Sequence, residues 1–246
     1  MKKDELLNEI LKRPVPQHIA LILDGNGRWA TSKGLPRNMG HQKGANTLEE
    51  VVKAANKIGV KYITAYVFST ENWSRPKEEV EFIMKEVIKL CKKWQKLKKE
   101  NVRINVIGSK ENVPSEVQDA IDEAMNNTKD CDGATINMAF NYGSKKEIIE
   151  ATKKIATLVK EGHIEIDDIN ESLFEDNLYT SGMPQVDLLI RTSGEVRISN
   201  YLLWQIAYAE MYFTKVYWPD FHTKEFYEAV YEFQRRNRRF GGLEKK

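Results

Sequence analysis

The sequence contains only two cysteines among 246 residues, Cys91 and Cys131. Two distant cysteines exclude a dense disulfide framework and form no metal-binding pattern, so they favour a reducing compartment and a cytoplasmic protein. No apolar stretch is long enough to cross a bilayer, and the N-terminus lacks a signal-peptide core. Lys and Arg number 38 against 36 Asp and Glu, a formal charge of +2. This balance gives no indication of nucleic-acid binding.

Nucleotide-binding and metal-binding motifs are also missing. The sequence has no phosphate-binding loop ending in Gly-Lys-Ser/Thr, and the segment DGNGRW contains no GxGxxG fingerprint. None of the four histidines has metal-ligand spacing. The run Asp167-Asp168-x-x-Glu171 matches a metal motif of all-helical enzymes, but this sequence has too much strand for that class. We predict instead that Asp168 is a helix N-cap and that Glu171 completes a capping box.

What the sequence does contain is an alternation of strand and helix patterns. Apolar residues make up 41% of the chain, and no Pro/Gly/Ser-rich linker divides it, which favours a single domain over 1–246. Short apolar runs predict strands over 19–23, 61–68, 102–108, 134–140, 186–192 and 209–213. Helical periodicity predicts helices over 45–58, 77–99, 114–127, 145–160, 168–177 and 223–236. The alternation indicates an α/β fold with a mainly parallel six-stranded sheet flanked by helices.

In parallel sheets, ligands bind beyond the carboxyl ends of the strands. The polar loops at these ends predict a single site there. It would gather Asp24, Asn26, Arg28, Arg37, His41, Ser69, Glu71, Asn72, Arg75, Arg191, Arg197, Ser199 and Glu210. Five of these residues are arginines, whose guanidinium groups match phosphate oxygens. So many arginines fit two phosphorylated ligands, or one long polyphosphate, better than one phosphate.

The segment HIALILDGNGRW is the centre of this predicted site. Asp24 ends an apolar run, and Gly25, Gly27 and Arg28 follow it closely. A carboxylate, accessible backbone amides and a guanidinium suit a diphosphate with a divalent cation. A simple Asp-Gly turn after a strand is the alternative. His41, next to Gly40, is explained equally by anion binding or by helix capping.

Two apolar helical faces allow more than one interpretation. Residues 80–94 carry apolar side chains at helical spacing, a pattern typical of a core helix. The N-terminal segment has Leu6, Leu7, Ile10 and Leu11 on one face. That face either packs on the body of the protein or touches a membrane surface.

Taken together, the loops resemble the cis-prenyltransferase family, which includes the undecaprenyl diphosphate synthases. The matching segments occur in order along nearly the whole chain: HIALILDGNGRWA, GLPRNMGHQKG, ITAYVFSTENWSRP, INMAFNYG, DLLIRTSGEVRISNYLLWQIAYAEMYFTKVYWPDF and RRFGG. The resemblance implies a homodimer that condenses isopentenyl diphosphate with an allylic diphosphate, usually farnesyl diphosphate, using Mg²⁺. The implied product is a long-chain cis-polyprenyl diphosphate such as undecaprenyl diphosphate, the lipid carrier precursor for cell-wall synthesis.

The resemblance also implies roles for individual residues. Asp24 would be the essential metal-binding carboxylate, and Glu210 a second metal ligand. The family assigns loss of the isopentenyl proton to the Asn72 position; because an amide is a poor base, we interpret Asn72 as positioning an acceptor such as water or the leaving diphosphate. The implied binding residues for the allylic substrate and the second loop are Gly25, Asn26, Gly27, Arg28, Trp29, Arg37, His41, Ser69, Thr70, Glu71, Trp73 and Arg75. Those implied for isopentenyl diphosphate are Arg191, Arg197, Ile198 and Ser199.

A growing polyprenyl chain needs a dry, apolar tunnel, and the helix carrying residues 80–94 is its natural wall. Ser144 and Lys145 replace the usual Gly and Arg of the family, and Val196 replaces a longer polar residue. One rival interpretation is a non-catalytic partner subunit of the same fold, against which the presence of Asp24 and Asn72 argues. The other is a module that binds RNA or anionic lipid through Arg235, Arg236, Arg238 and Arg239. The balanced charge elsewhere favours no nucleic-acid partner, and contact with the inner membrane face stays open.

Overall fold

A six-stranded, all-parallel sheet forms the centre of the computed structural model, which describes residues 1–236. Its strands are β1 (His18–Ile22), β2 (Tyr62–Ser69), β3 (Arg103–Ile107), β4 (Thr135–Tyr142), β5 (Leu188–Arg191) and β6 (Glu210–Phe213). The spatial order is β3-β4-β2-β1-β5-β6, which places β1 and β2 in the interior. The predicted parallel α/β sheet is therefore confirmed, with each strand within two residues of its predicted bounds.

Helices cover both faces of this sheet. Within the described residues they are α1 (Lys3–Ile10), α2 (Asn26–Ser32), α3 (Arg37–Lys57), α4 (Lys77–Trp94), α5 (Ser115–Thr128), α6 (Ser144–Lys160), α7 (Glu171–Asp176) and α8 (Thr223–Arg235). Short 3-10 helices span Thr70–Ser74, Gln95–Glu100, Ile166–Asp168 and Trp218–Asp220. The basic-tail residues Arg238 and Arg239, and the segment RRFGG, lie outside the described part of the chain.

Strand β1 shows how the sheet divides the core. Ile19 and Leu21 belong to a large apolar cluster with residues of α1, α3, α4, α5 and α8. Ala20 and Ile22 belong to a smaller cluster on the other face, with Tyr142 and Tyr201. Successive side chains of a strand point to opposite faces, so a strand buried on both sides is apolar at every position. This burial fixes the strand ends, and with them the loops that follow.

The polar, Gly- and Pro-bearing segment 31–44, which precedes the helix predicted over 45–58, is predicted by its composition to be a loop, and for most of its length this prediction was wrong. It contains the end of α2 and the start of α3, which begins at Arg37 rather than at residue 45. A Cβ atom at Gly40 would lie 1.9 Å from the Asn26 carbonyl oxygen, and one at Gly44 would lie 2.2 Å from Asn26 Oδ1. These glycines therefore allow α3 to approach α2 closely, which is a packing role inside a helix rather than a turn signal.

Two smaller predictions also need correction. Helix α4 ends at Trp94, and the lysine-rich residues after it form the 3-10 helix Gln95–Glu100. Asp168 is not the N-cap of α7; that position belongs to Asn170, whose side chain accepts a hydrogen bond from Leu173 N at 3.0 Å. Asp168 instead accepts from Glu165 N at 2.8 Å, which closes the short turn before it. Both oxygens had a local backbone donor, so the sequence alone could not separate them.

The apolar face of the N-terminal helix packs on the body of the protein. Leu6 and Ile10 of α1 are buried against α8, whereas Leu11 is exposed. The side chain of Gln234 in α8 donates to the Ile10 carbonyl oxygen at 3.0 Å. Among the described residues, no helix combines the length and hydropathy required to span a bilayer.

Candidate active site

The carboxyl ends of β1, β2 and β5 open into one cavity of about 590 Å³. The polar part of its wall consists of Asp24, Asn26, His41, Tyr66, Ser69, Glu71, Asn72, Arg75, Glu86, Arg191, Arg197, Ser199 and Asn200. Most of the site residues predicted from the sequence therefore share one cavity, although they come from distant parts of the chain. The sheet explains this, because parallel strands deliver their following loops to the same edge.

Asp24 is the carboxylate at the centre of this edge. Its Oδ1 accepts a hydrogen bond from Arg28 Nη2 at 3.0 Å, and its Oδ2 accepts one from Arg191 Nη2 at 2.9 Å. Partial burial alone would raise the pKa of Asp24, but the hydrogen bonds and charges of Arg191 and Arg28 outweigh it and lower the pKa below its ordinary value. Asp24 is therefore ionised at neutral pH.

Arg191 connects Asp24 to the loop after β5. It is only 3% exposed, and its Nη1 donates to Ser199 Oγ at 2.8 Å and to the carbonyl oxygen of Arg197. Ser193 and Ser199 hold left-handed backbone angles, with φ of 79° and 50°. Such angles cost about 1–3 kcal/mol at residues other than glycine and cluster at functional loops. The buried arginine and the strained backbone together fix the position of this loop.

Glu195 is a site residue that the sequence analysis missed. Its Oε1 accepts from Arg28 Nη1 at 2.8 Å, and its Oε2 accepts from Arg197 Nη1. One carboxylate thus holds two guanidinium groups from loops after β1 and β5. The missed signal was an acidic residue two positions from Arg197, close enough in sequence to be its charge partner.

The loop after β2 forms the 3-10 helix Thr70–Ser74. The carboxamide oxygen of Asn72 accepts from Ser69 N at 3.2 Å, so the Asn72 amide nitrogen is left for other partners. The indole nitrogen of Trp73 donates to Asn141 Oδ1 at 2.8 Å, which attaches this loop to the end of β4. Arg75 donates to Glu79 at 3.0 Å. The predicted second loop is therefore an ordered wall of the cavity.

His41 and Arg37 reach the site from α3. Each has a side-chain nitrogen 3.8 Å from Glu79 Oε1. Burial, followed by the charge of Arg75, lowers the pKa of His41, which is therefore neutral at pH 7. His41 Nε2 is buried and has no hydrogen-bond partner. A buried polar atom without a partner normally indicates a missing ligand or water, which favours the anion-binding interpretation over helix capping.

The inner part of the cavity is apolar. Its wall contains Leu48 of α3 and Ile83, Val87 and Leu90 of α4, with Val67 of β2 and Ala45. Side chains at positions 83, 87 and 90 share one face of a helix because they are three or four residues apart. The cavity thus joins a charged mouth to an apolar interior.

Some predicted residues do not form the cavity wall. Gly25, with φ of +102°, makes the left-handed turn that starts α2. Arg37 lies over Gly27, where a Cβ atom would be 2.7 Å from Arg37 Cζ. The other predicted residues that do not line the cavity are Arg28, Trp29, Thr70, Trp73 and Ile198.

Glu210 is the one predicted residue that the chain does not bring to Asp24. It opens β6 opposite Leu188, and Leu188 is level with Ile19 at the start of β1. Asp24 lies beyond the opposite end of β1, past Ile22, which is three residues or about 10 Å further along the strand direction at ~3.3 Å per residue. The Glu210 carboxylate accepts from Arg236 Nη1 at 2.9 Å. Within one chain, Glu210 and Asp24 therefore cannot bind the same ion.

The donor set at Asp24 fits Mg²⁺ as a shared ligand. No group of three or more His, Cys, Asp or Glu side chains in residues 1–236 could hold a metal by itself. Mg²⁺, however, is commonly held by one or two carboxylates together with substrate phosphates and water. The ionised Asp24 oxygens each accept one arginine hydrogen bond, which leaves lone pairs for a cation.

Comparisons with known proteins agree with this geometry. Residues 22–241 match the family described as "Putative undecaprenyl diphosphate synthase". The chain is 48% identical over 235 residues to an isoprenyl transferase of Clostridium perfringens, covering 95% of this chain and 93% of that protein. It is 49% identical over 231 residues to the ditrans,polycis-undecaprenyl-diphosphate synthase ((2E,6E)-farnesyl-diphosphate specific) of Pasteurella multocida, covering 94% and 96%.

A solved structure with the same fold is lavandulyl diphosphate synthase from Lavandula x intermedia in complex with dimethylallyl diphosphate. Its TM-score is 0.91 at 36% identity, over 93% of this chain and 99% of that one. The undecaprenyl-diphosphate synthase and the lavandulyl diphosphate synthase are each named for an isoprenoid diphosphate, and the two products differ. The fold and the family therefore leave the product to be argued from the site.

Proposed function

The chain belongs to the undecaprenyl diphosphate synthase family of prenyltransferases, and from this premise we propose its reaction. It condenses isopentenyl diphosphate with an allylic diphosphate, farnesyl diphosphate, and forms new double bonds in cis configuration. The product is a long-chain cis-polyprenyl diphosphate such as undecaprenyl diphosphate. The observation that carries the proposal is the cavity itself, which joins Asp24, Arg191 and Ser199 to an apolar interior.

The allylic diphosphate binds at the mouth formed by the loop after β1. Gly25, Asn26, Gly27 and Arg28 surround its phosphates, with Trp29, Arg37 and His41 beside them. The neutral, unpartnered Nε2 of His41 supports this assignment, because a phosphate oxygen or its bound water would satisfy it. The second loop closes this side of the pocket through Ser69, Thr70, Glu71, Trp73 and Arg75.

Isopentenyl diphosphate binds at the loop after β5. Arg191, Arg197, Ile198 and Ser199 hold it, and Glu195 sets the distance between Arg197 and the allylic site through Arg28. Arg197 is the accessible cation of the group, with a 59% exposed side chain. Holding two substrates in fixed positions removes much of the entropic cost of a reaction between two molecules.

The difficult step is cleavage of the allylic C–O bond, which leaves its electron pair on the departing diphosphate. Arg28, beside the allylic diphosphate, stabilises that growing negative charge, and it does so most strongly in the transition state. Asp24 would hold Mg²⁺, which supplies further charge stabilisation on the diphosphate oxygens. The isopentenyl double bond then forms the new C–C bond, and a proton is lost to restore a double bond.

Asn72 acts in that final proton loss as an orienting group. Its carboxamide oxygen is already bonded to Ser69 N, so its amide nitrogen is the atom left to donate. A donor holds an acceptor such as water or the released diphosphate, whereas it cannot remove a proton itself. This role agrees with the position of Asn72 in the cavity wall.

The growing chain extends into an apolar tunnel between α3 and α4. Leu48, Ile83, Val87 and Leu90 supply apolar surface next to the charged mouth, which supports this path. Their burial against an isoprenoid chain would favour binding by about 25 cal/mol per Å² of apolar surface. The stripe on α4 thus serves both the core, through Met84 and Cys91, and the tunnel.

The working protein is a homodimer in the cytoplasm, with access to the inner face of the membrane that receives its product. Strand β6 lies at the edge of the sheet, where Tyr208 and Met211 are 73% and 37% exposed. An edge strand with exposed apolar residues is a natural surface for a second copy. Glu210 could approach an Asp24 only of that second copy, so its predicted role as a metal ligand depends on the dimer.

A condensation assay tests the proposed reaction. The protein is incubated with farnesyl diphosphate, labelled isopentenyl diphosphate and Mg²⁺, and the extracted lipid is sized and its double bonds are assigned by NMR. We expect label in long-chain lipid with cis double bonds, and none with Asp24→Asn. If the label stays in isopentenyl diphosphate, the proposed reaction is rejected and a non-catalytic partner subunit is favoured.

A further inference from the structure

Asn200 makes a set of contacts that no role assigned above explains. Its amide nitrogen donates to Glu71 Oε1 at 2.8 Å, and its amide oxygen accepts from Lys145 N at 2.9 Å. Its own carbonyl oxygen accepts from Ser144 N at 2.9 Å. One residue thus joins the second loop, the loop after β5 and the first turn of α6.

These contacts satisfy groups that would otherwise lack partners. The first N–H groups of a helix have no partner within the helix, and the N-cap of α6 is Gly143, which has no side chain to supply one. Asn200 therefore caps α6 from a distant part of the chain. In return, Ser144 Oγ accepts from Leu203 N at 2.9 Å. The loop and the helix fix each other in both directions.

Gly143, which has no side chain, leaves the space that the Asn200 side chain occupies. A Cβ atom at Gly143 would lie 2.5 Å from Thr70 Oγ1 and 2.9 Å from Asn200 Nδ2, so a larger residue there would displace the contact. Asn200 also holds a left-handed φ of 59° next to Ser199. Asn and Asp tolerate that conformation better than other non-glycine residues.

We propose that Asn200 is a positioning residue for the transfer reaction: it ties the loop that bears Ser199 to Glu71 and to the first turn of α6. This inference rests on the proposed function, because it concerns the distance between the two substrate sites. Ser199 is bonded to Arg191, and Arg191 to Asp24. Glu71 belongs to the second loop. Asn200 therefore closes a ring of contacts around the cavity mouth.

Asn200→Asp removes the hydrogen bond to Glu71, the tie between the two loops, and keeps the acceptor that caps α6. The carboxylate keeps an acceptor for Lys145 N, is favoured at a helix N-terminus, and tolerates the left-handed backbone. It cannot donate to Glu71, and it places two carboxylates where a 2.8 Å hydrogen bond was. Asn170→Asp is the matched control, because Asn170 caps α7 on the surface with the same type of contact, away from the cavity.

Steady-state kinetics test the proposal. We expect Asn200→Asp to raise the KM for isopentenyl diphosphate about tenfold, the effect of losing one hydrogen bond to a charged group. The KM for farnesyl diphosphate and the Tm should stay close to wild type, and Asn170→Asp should match wild type throughout. An unchanged KM for isopentenyl diphosphate, or equal changes in both KM values with a fallen Tm, would overturn the positioning role.

A double substitution tests which side chain of the Asn200–Glu71 hydrogen bond is the donor and which is the acceptor. In Asn200→Asp/Glu71→Gln, the donor and the acceptor exchange places, so the pair can form again. We expect this double variant to recover most of the loss that Asn200→Asp shows alone, which is a non-additive result. Additive losses would show that the two side chains act separately and would contradict the tie.

Hydrogen exchange keeps this inference separate from the proposed reaction. Failure of the wild-type protein to condense its substrates would reject the reaction but not the tie. In that case the hydrogen-exchange rates of the backbone amides in segment 193–205 test the tie. Faster exchange there in Asn200→Asp than in Asn170→Asp supports the tie, and equal exchange refutes it.

Discussion

Arg191 donates to Asp24 from the buried end of β5, with 2.9 Å between Nη2 and Oδ2. From the sequence, Asp24 lies in a polar loop after a strand, a position where the loss of one charge normally costs the fold little. The structure instead pairs it with a guanidinium that is 3% exposed. Asp24 therefore has two tasks: it presents a carboxylate to the cavity, and it neutralises a buried cation.

Substitutions at Asp24 should separate these tasks. Asp24→Ala leaves Arg191 without its anionic partner, so we expect a loss of about 2–3 kcal/mol in the free energy of unfolding. Asp24→Asn keeps an acceptor for Arg191 and should lose less stability. Both variants should lose at least about 100-fold in turnover, because the metal-binding charge is gone. Urea unfolding and the condensation assay measure the two effects; near-normal turnover of Asp24→Asn would refute the assignment.

Arg197→Ala tests whether there are two separate diphosphate sites. The exposed Arg197 guanidinium has Glu195 as its side-chain partner, so its removal should not disturb the core. We expect the KM for isopentenyl diphosphate to rise about 10- to 100-fold, the value of hydrogen bonds to a charged group, with little change for farnesyl diphosphate. Arg13→Ala, whose partner is the Gln234 carbonyl oxygen, is the control. Equal effects on both substrates would count against two sites.

The tunnel is tested by filling it. Val87 lines the apolar interior, so Val87→Phe should shorten the lipid product that the condensation assay yields. Ile88→Phe on the same helix is the matched control, because Ile88 packs against the core and does not line the cavity. Overpacking can cost 1–3 kcal/mol, so the Tm of both variants is measured. An unchanged product length with Val87→Phe would remove α4 from the tunnel.

Much of this arrangement could be predicted from the sequence because it depends on local patterns. Apolar runs marked the six strands, and parallel topology then placed Asp24, Asn72 and Arg191 at one edge. Gly40 and Gly44 misled the same reasoning. Gly40 admits the backbone of Asn26 in α2 and Gly44 admits its side chain, which are contacts between two elements rather than local preferences.

Side-chain partners that are far apart in the chain could not be predicted from the sequence. The contact of Glu195 with Arg28 joins residues 167 positions apart, and that of Asn200 with Glu71 joins residues 129 apart. No periodicity encodes such pairs. Glu210 shows the reverse limit: its chemistry suits a metal ligand, but its register opposite Leu188 separates it from Asp24 within one chain, so its predicted role depends on a second copy.

His18 gives a prediction about pH. Its Nδ1 donates to the Pro184 carbonyl oxygen at 2.8 Å, so its Nε2 accepts from Thr64 Oγ1 at 2.7 Å. Complete burial lowers the pKa of His18, although the Pro184 contact and Asp187 oppose this. The fold therefore favours neutral His18. Its contribution to stability is present above the unfolded-state pKa of about 6.5 and is lost as pH falls from there through the lower folded-state pKa.

The measurement is the free energy of unfolding in urea between pH 5 and 8. The wild-type protein should lose up to about 1.4 kcal/mol per pH unit below pH 6.5 from this residue. His18→Gln should be less stable at pH 8, and the difference should shrink as the pH falls. A constant difference across this range would mean that His18 does not titrate with unfolding.

The central claim is that one cavity holds two diphosphates at once. Equilibrium binding tests it most directly, with Mg²⁺, isopentenyl diphosphate and a farnesyl analogue whose bridging oxygen is replaced by sulfur, so that the C–O bond cannot break. The account predicts that the protein saturated with the analogue still binds one isopentenyl diphosphate per chain, and that Arg197→Ala weakens only this second binding. Displacement of one ligand by the other would contradict it.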